Sequence, residues 1–244
     1  MLASRARVTG GSELDMSGLS RSAGYHSDRN PERLSPMSFP LPELPAAVAP
    51  ALREHGFVVL PYWLPVAFAN ALREDCENAR SSGRLQPARV GRGAGSQHDR
   101  TLRGDATLWL DAAAAPVQAQ LLALLEQIRA TLNRELLFGL ESVEAHYAVY
   151  PPGAGYVRHR DRFRDDDSRT LSFTCYLNPA WQAADGGALR LHRACGPLDV
   201  LPHLGTACLF LSAEIEHEVL PATRPRYSIA GWLRRRPLQG GMSV

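Results

Sequence analysis

VEAHYAVY, residues 143–150, opens a series of short apolar and aromatic runs that continues as GYVRH (155–159), TLSFTCYLN (170–178), GGALRLH (186–192), TACLFLS (206–212), HEVLP (217–221) and RYSIAGWL (226–233). Each run has the length of a strand, and Gly, Pro or Asn punctuates the gaps between them. No helical period lies between the runs, so a parallel sheet built from βα units is excluded. The pattern predicts an antiparallel barrel or a double-sheet jelly roll.

Upstream the period changes. Val117, Leu121, Leu124, Leu125, Ile128 and Leu132 line one face of a long amphipathic helix, with Pro116 suited to its first turn. A helix is expected around Val66 to Arg80, a strand over Phe57–Leu60, and a first helix from Leu44 to Leu52. The fold class is therefore mainly β with flanking helices. One domain is expected over 41–236, with helical support in 41–139 and the β core in 140–236. Residues 1–40, rich in Ser, Gly, Arg and Pro without a hydrophobic period, read as a disordered tail, and 237–244 as a C-terminal tail. Met37, just before the patterned region, is an alternative start. Between Arg84 and Asp105 runs a Gly- and Arg-rich stretch too long and hydrophilic for a simple connector, which reads as a lid with Gly91, Gly93 and Gly95 as hinges.

Composition removes several chemistries. All 27 basic residues are Arg, and without Lys there is no Schiff base, no pyridoxal phosphate anchor and no P-loop lysine. This usage reads as a GC-rich bacterial genome. The net charge of +2 names no partner. Cys76, Cys175, Cys195 and Cys208 fit neither a zinc ribbon nor a disulfide framework, and are expected as buried free thiols in a reducing cytoplasm. No apolar run has the length to cross a membrane, and no secretory h-region is seen at the start. Arg89, Arg92, Arg100 and Arg103 could serve a nucleic acid, but interleaved aromatics are lacking and no nucleic-acid partner is expected.

His159 and Asp161 sit two residues apart at the end of an expected strand, where alternate side chains leave on one side and can reach one ion. His217 offers a second imidazole, and Arg226 follows it by nine positions. Two His and one carboxylate leave coordination positions open, which suits non-haem Fe(II) oxygen chemistry, whereas a structural zinc site closes its shell. A planar guanidinium binds a carboxylate bidentately, so Arg226 suits the far end of a chelating 2-oxo acid. Trp109 and Trp181 are expected in the core, and His146, His192 and His203 as ordinary strand or loop residues.

Taken together, HRD, HEV and RYSIAGW, with YPPGAGYVRH, YLNPAW and GGALRL, resemble the hypoxia-inducible-factor prolyl hydroxylases and their bacterial relatives from about Arg103 to Trp232. The resemblance implies a double-stranded β-helix, a jelly-roll barrel packed against the N-terminal helices. It implies Fe(II) held by His159, Asp161 and His217, with 2-oxoglutarate and O2 as cosubstrates and ascorbate as a supporting reductant. Arg226, Tyr176 and Tyr150 match positions of the cosubstrate pocket, while Arg169, Tyr156, Trp232 and Arg103 match positions near the substrate. Ala230 departs from the animal enzymes, which carry a hydroxyl residue there. The expected reaction is hydroxylation of a prolyl residue in a protein, with a translation factor such as elongation factor Tu as first candidate and the Arg89–Asp105 lid covering the peptide. Asp161 occupies the position that halogenating relatives vacate. The alternatives are a hydroxylase of free proline or another small molecule, and a non-catalytic iron- or oxygen-responsive binding protein.

Overall fold

A computed structural model describes residues 38–88, 99, 101–162 and 166–237. The chain runs α1 (Val48–His55), β1 (Phe57–Leu60), α2 (Val66–Ser81), β2 (Gln86–Pro87), β3 (Ala106–Trp109), α3 (Pro116–Leu136), β4 (Leu140–Tyr150), β5 (Tyr156–His159), β6 (Arg169–Tyr176), β7 (Leu189–Arg193), β8 (Gly196–Val200), β9 (Ala207–Leu211), β10 (Glu216–Val219) and β11 (Arg226–Arg235). A major sheet has the order β1-β9-β6-β11-β4-β3-β2 and a minor sheet the order β5-β10-β7-β8. Every pairing is antiparallel. This is a jelly roll, mainly β with flanking helices.

Strand alternation sorts the major sheet into a helix-facing side and an inner side. Tyr227, Ile229 and Leu233 of β11, Ala145, Tyr147 and Val149 of β4, and Leu171, Phe173 and Cys175 of β6 share one core with the buried residues of the helices. There α3 contributes Leu121, Leu124, Leu125, Ile128 and Leu132, each burial worth about 2 kcal/mol. Between the sheets lies a second, smaller core that includes Ala148, Tyr150, Tyr176, Leu189, Leu191 and Phe210. A slip of one residue in β11 would exchange Arg226, Ser228, Ala230 and Trp232 for Tyr227, Ile229, Gly231 and Leu233. The apolar set therefore fixes the register that aims the inner set.

Several expectations shift. The first helix is Val48–His55, not 44–52. Leu44 precedes Pro45, which disfavours helical backbone there, while Pro50 falls in the first turn where it is tolerated. Gly56, at φ 76, ends the helix. The strand expected over Phe57–Leu60 is β1, but the rest of the N-terminal support is not purely helical, since β2 and β3 also extend the major sheet. Within the expected tail, Phe39 stacks on Phe68 at 5.3 Å between ring centroids, so the packed region reaches at least to that residue; 1–37 and 238–244 lie outside the described residues. The hinge glycines Gly91, Gly93 and Gly95 also lie outside them, as do Arg89, Arg92 and Arg100. Cys76, Cys175 and Cys208 are buried free thiols, but Cys195 is exposed in the turn between β7 and β8. No helix among the described residues is long and apolar enough to cross a membrane.

Candidate active site

Between the two sheets opens a cavity of about 630 Å³. The minor sheet brings His217 of β10 directly opposite His159 of β5, and Asp161 follows in the bend just past β5. The Nε2 atom of His159 lies 3.5 Å from Asp161 Oδ1, and Nε2 of His217 lies 3.6 Å from Oδ2. One ligand atom from each residue falls within 4.8 Å of the others. Both imidazoles are oriented in the same way. Nδ1 of His159 is 2.7 Å from the Val157 carbonyl and Nδ1 of His217 is 3.2 Å from that of Ile215. A carbonyl only accepts, so Nδ1 carries the hydrogen and Nε2 presents its lone pair.

Asp161 is held as an anion. Burial pushes its carboxyl up, but His217 and His159, whenever they are protonated, and the Ser172 hydroxyl hold it well below the usual carboxylate range. Ser172 on β6 donates to Oδ2 at 2.6 Å, and its own oxygen lies 2.9 Å from the Ser212 hydroxyl, which must then donate to it. Burial lowers the pKa of His217, with Asp161 opposing, and so favours the neutral, ligating imidazole. Two neutral nitrogens and one carboxylate oxygen with open positions are a donor set that fits Fe(II).

Arg226 on β11 is only 2% exposed. Its Nε donates to the Gly187 carbonyl at 2.8 Å and its Nη1 to Ser228 Oγ at 3.1 Å, which fixes the guanidinium plane. Gly187 stands at φ +69, and a Cβ there would meet Ala222 Cβ at 2.9 Å and Trp181 at 3.1 Å, so the carbonyl that orients Arg226 needs glycine. Among the described residues no carboxylate pairs with Arg226. The rings of Tyr176 and Tyr150 flank it, with centroids 5.1 and 5.4 Å from its Cζ. The Tyr176 hydroxyl is buried without a hydrogen bond of normal geometry. A buried cation without a counter-ion beside a buried hydroxyl without a partner is costly. A carboxylate is a group whose chemistry suits both.

The remaining anticipated residues lie on the cavity wall. Tyr156 stacks on His159 with centroids 3.6 Å apart. Arg169 lays its guanidinium 3.4 Å over the Trp232 ring and pairs with Glu144 at 3.2 Å. Arg103 is committed to Asp105 through two bonds of 2.7 and 2.9 Å, and the neighbouring Gly104 N–H bonds the Gly155 carbonyl at 3.0 Å, docking this segment on β5. Trp181 is in the core as expected, but Trp109 is not: it is 54% exposed, because the end of β3 overhangs the cavity mouth. His146 is no ordinary strand residue either, being buried in the cavity wall between Trp109 and Trp232. Ser172 and Ser212 were also missed. The signal for Ser172 was the alternation of TLSFTCY, whose apolar Leu171, Phe173 and Cys175 pack toward the helices and so put Ser172 on the inner side.

A barrel that combines this triad with a buried arginine lacking a carboxylate partner among the described residues has the donor set to fit Fe(II) and a chelating dicarboxylate. The model of the 2OG-Fe(II) oxygenase superfamily matches residues 145–234. Among solved structures, a Pseudomonas putida prolyl-4-hydroxylase is 45% identical with a TM-score of 0.72, covering 78% of this chain and 98% of that one. A Trichoplax adhaerens prolyl hydroxylase, solved with a hypoxia-inducible-factor peptide, is 26% identical with a TM-score of 0.69, covering 77% and 87%. Human Egl nine homolog 1 is 28% identical over 208 residues, 79% of this chain and 48% of the relative. The chain thus spans about half the length of the curated relatives it matches. It belongs to the prolyl-hydroxylase type of 2OG-Fe(II) oxygenases, whose cofactors are Fe(II), 2-oxoglutarate and O2.

Proposed function

We propose that the protein hydroxylates a prolyl residue within a protein substrate, using 2-oxoglutarate and dioxygen. The observation that carries the cosubstrate assignment is Arg226, buried without a carboxylate partner among the described residues, beside the unsatisfied Tyr176 hydroxyl and in the cavity that holds the triad. A binding protein that uses the triad alone has no need of that clamp. His159, Asp161 and His217 hold Fe(II) through Nε2, a carboxylate oxygen and Nε2. The chemistry supplied by iron when bound is oxidative decarboxylation of 2-oxoglutarate to succinate and carbon dioxide, coupled to placing one atom of O2 in a substrate C–H bond as hydroxyl.

The protein's own contribution is positioning and charge. Ser172, itself bonded to Ser212, keeps Asp161 turned toward the imidazoles. Arg226 and Tyr176 take the distal carboxylate, with Tyr150 on the flank. Tyr156, Trp232 and Arg169 form the approach for the target residue, and Arg103 anchors the lid segment through Asp105. The assignment to a prolyl residue in a protein follows the hydroxylases of Pseudomonas putida and Trichoplax adhaerens, the latter seen with a peptide. A translation factor in a bacterial cytoplasm is the first substrate to try, and no nucleic acid is required.

The test incubates the enzyme, Fe(II), 2-oxoglutarate and ascorbate separately with purified elongation factor, with cell extract proteins and with free proline, and follows added oxygen by mass spectrometry. One or more protein-bound hydroxyprolines that require 2-oxoglutarate are expected. Hydroxylation of free proline alone would replace this reading with a small-molecule hydroxylase.

A further inference from the structure

We propose that His146 and Trp232 form a two-donor subsite that receives the backbone carbonyl oxygen flanking the target proline. The inference rests on the proposed prolyl substrate. His146 is 2% exposed, and its Nε2 lies 3.3 Å from Nη2 of Arg103. A guanidinium has only hydrogens to offer, so Nε2 accepts and the ring hydrogen sits on Nδ1. That Nδ1 is buried with no partner, and so is Nε1 of Trp232, which can only donate. The two rings stack with centroids 5.4 Å apart. One wall of the cavity therefore holds two buried N–H donors that the described protein leaves unsatisfied, an arrangement native structures rarely keep without an acceptor to come.

The cosubstrate cannot be that acceptor for both. Trp232 stands six residues beyond Arg226 on β11, about 20 Å along the strand. A five-carbon dicarboxylate spans roughly 6 Å and is anchored at Arg226. Across the sheet the register places Tyr150 opposite Arg226, and His146 opposite Ala230. The two donors thus lie on the approach side of the cosubstrate end. The surfaces around them are flat: the apolar ring of Trp109 lies 4.9 Å from the His146 ring, and the planar guanidinium of Arg169 covers the other end of the stack on Trp232.

What fits such a wall is a segment rich in acceptors and poor in donors. An X–Pro segment is of that kind, since proline has a carbonyl but no N–H and its ring is an apolar plate. An ordinary dipeptide would bring an amide hydrogen to a wall already made of donors. The subsite therefore favours proline through what proline lacks, in addition to what its ring fills.

The experiment is a cycle between enzyme and substrate. A prolyl peptide hydroxylated by the wild type is compared with its thioamide analogue, in which the X–Pro carbonyl oxygen is replaced by sulfur, a weaker acceptor. The wild type should lose roughly three- to tenfold in kcat/KM on the thioamide, the scale of one neutral hydrogen bond. His146→Phe should lose a similar factor on the normal peptide and little more on the thioamide. His146→Gln, which restores an N–H donor, should recover part of the loss. Losses that simply multiply across the cycle overturn the subsite.

A second reading comes from the indole N–H resonance of Trp232, assigned with Trp232→Phe in zinc-substituted protein carrying 2-oxoglutarate. It should move on addition of the normal peptide and less with the thioamide, and a resonance that stays in place removes Trp232 from the subsite. If the peptide is hydroxylated while the cycle is multiplicative and the resonance is still, the subsite falls and the proposed function stands. If no prolyl peptide is bound or hydroxylated, both fall.

Discussion

The two sheets of the barrel do different work and are supported differently. The major sheet carries Arg226, Tyr176, Tyr150 and the wall of His146 and Trp232, and its other side is sealed against the helices by a large apolar core. The minor sheet carries His159 and His217. Polar contacts tie its strands to one another: the ion pairs of Arg158 with Glu216 and of Arg190 with Asp199 at 2.7 Å, and a hydrogen bond between His192 and Glu218 at 3.0 Å. Arg158 is exposed and Arg190, Asp199 and Glu216 are partly so, and pairs in such positions add little stability. The cosubstrate end is thus held rigid by packing before anything binds. At the metal end, the two facing strands and the bend after β5 bring three ligand atoms together, and an ion held there would link them. That predicts unequal sensitivity of the two ends to mutation and to acid.

The sharpest way to break the comparison is at the metal. His159→Ala or His217→Ala leaves two protein ligands and should abolish succinate production, with Fe(II) affinity measured by titration falling in parallel. Turnover that survives either change would remove the triad. Next comes the clamp. Arg226→Ala buries the distal carboxylate without its cation, a loss on the order of 3 kcal/mol, so 2-oxoglutarate should bind roughly a hundredfold more weakly. Iron affinity in the absence of 2-oxoglutarate should fall much less than in the His variants, because Arg226 belongs to the other sheet. Arg226→Lys restores charge but not the planar fork and should recover only part of the affinity.

Acid separates the ends by a smaller amount. Burial and the neighbouring Arg103 push the pKa of His146 down to about 3 from an ordinary 6.5. The unfolded chain therefore takes up a proton below 6.5 that the folded protein refuses until about 3, and stability is full above the first value and falls as pH drops through that window. The loss reaches about 2 kcal/mol by pH 5. His146→Phe should remove this component, so its unfolding free energy should change less between pH 7.5 and pH 5 than that of the wild type. His217, held down by burial, contributes the same sign in both proteins. Asp161, an acid held below its usual range, acts at lower pH, where carboxylates are protonated. Identical slopes for the two proteins would show that His146 is not kept neutral by its surroundings.

Much of this was legible in the order of the residues, for stated reasons. Short punctuated runs with no helices between them point to an antiparallel barrel or a double-sheet jelly roll, and the spacing from His159 to Asp161 lets both side chains leave an expected strand on one side. The sequence could not show that His159 and His217 would be register partners, because that depends on which strands pair. It could not show Ser212 reaching Asp161 through Ser172, since residues 40 positions apart meet only through the pairing of β6 with β9. His146 was misread because one histidine in a strand says nothing until its inner neighbours, Trp109 and Trp232, are brought in from β3 and β11. The first helix was misplaced for a local reason that was available, the proline at position 45.

Trp109 gives the smallest effect and divides sequence from structure most cleanly. From sequence Trp109 is expected in the core, and a core tryptophan truncated to alanine costs about 3–5 kcal/mol. In the fold the side chain is 54% exposed and leans on His146 at the cavity mouth, with the Trp232 ring 6.2 Å away. Half of its surface is never withdrawn from water, so the apolar contribution to stability is correspondingly small. Trp109→Ala should lower the unfolding free energy by no more than about 1 kcal/mol at pH 7.5, measured by urea denaturation. Its effect should appear at the substrate instead, as a severalfold higher KM for a prolyl peptide with a much smaller change in the KM for 2-oxoglutarate, whose anchor is on the far side of the His146 wall. A destabilisation of 3 kcal/mol or more would return Trp109 to the core. An unchanged peptide KM would take it away from the mouth, and with it the flat apolar surface on which a proline ring is expected to rest.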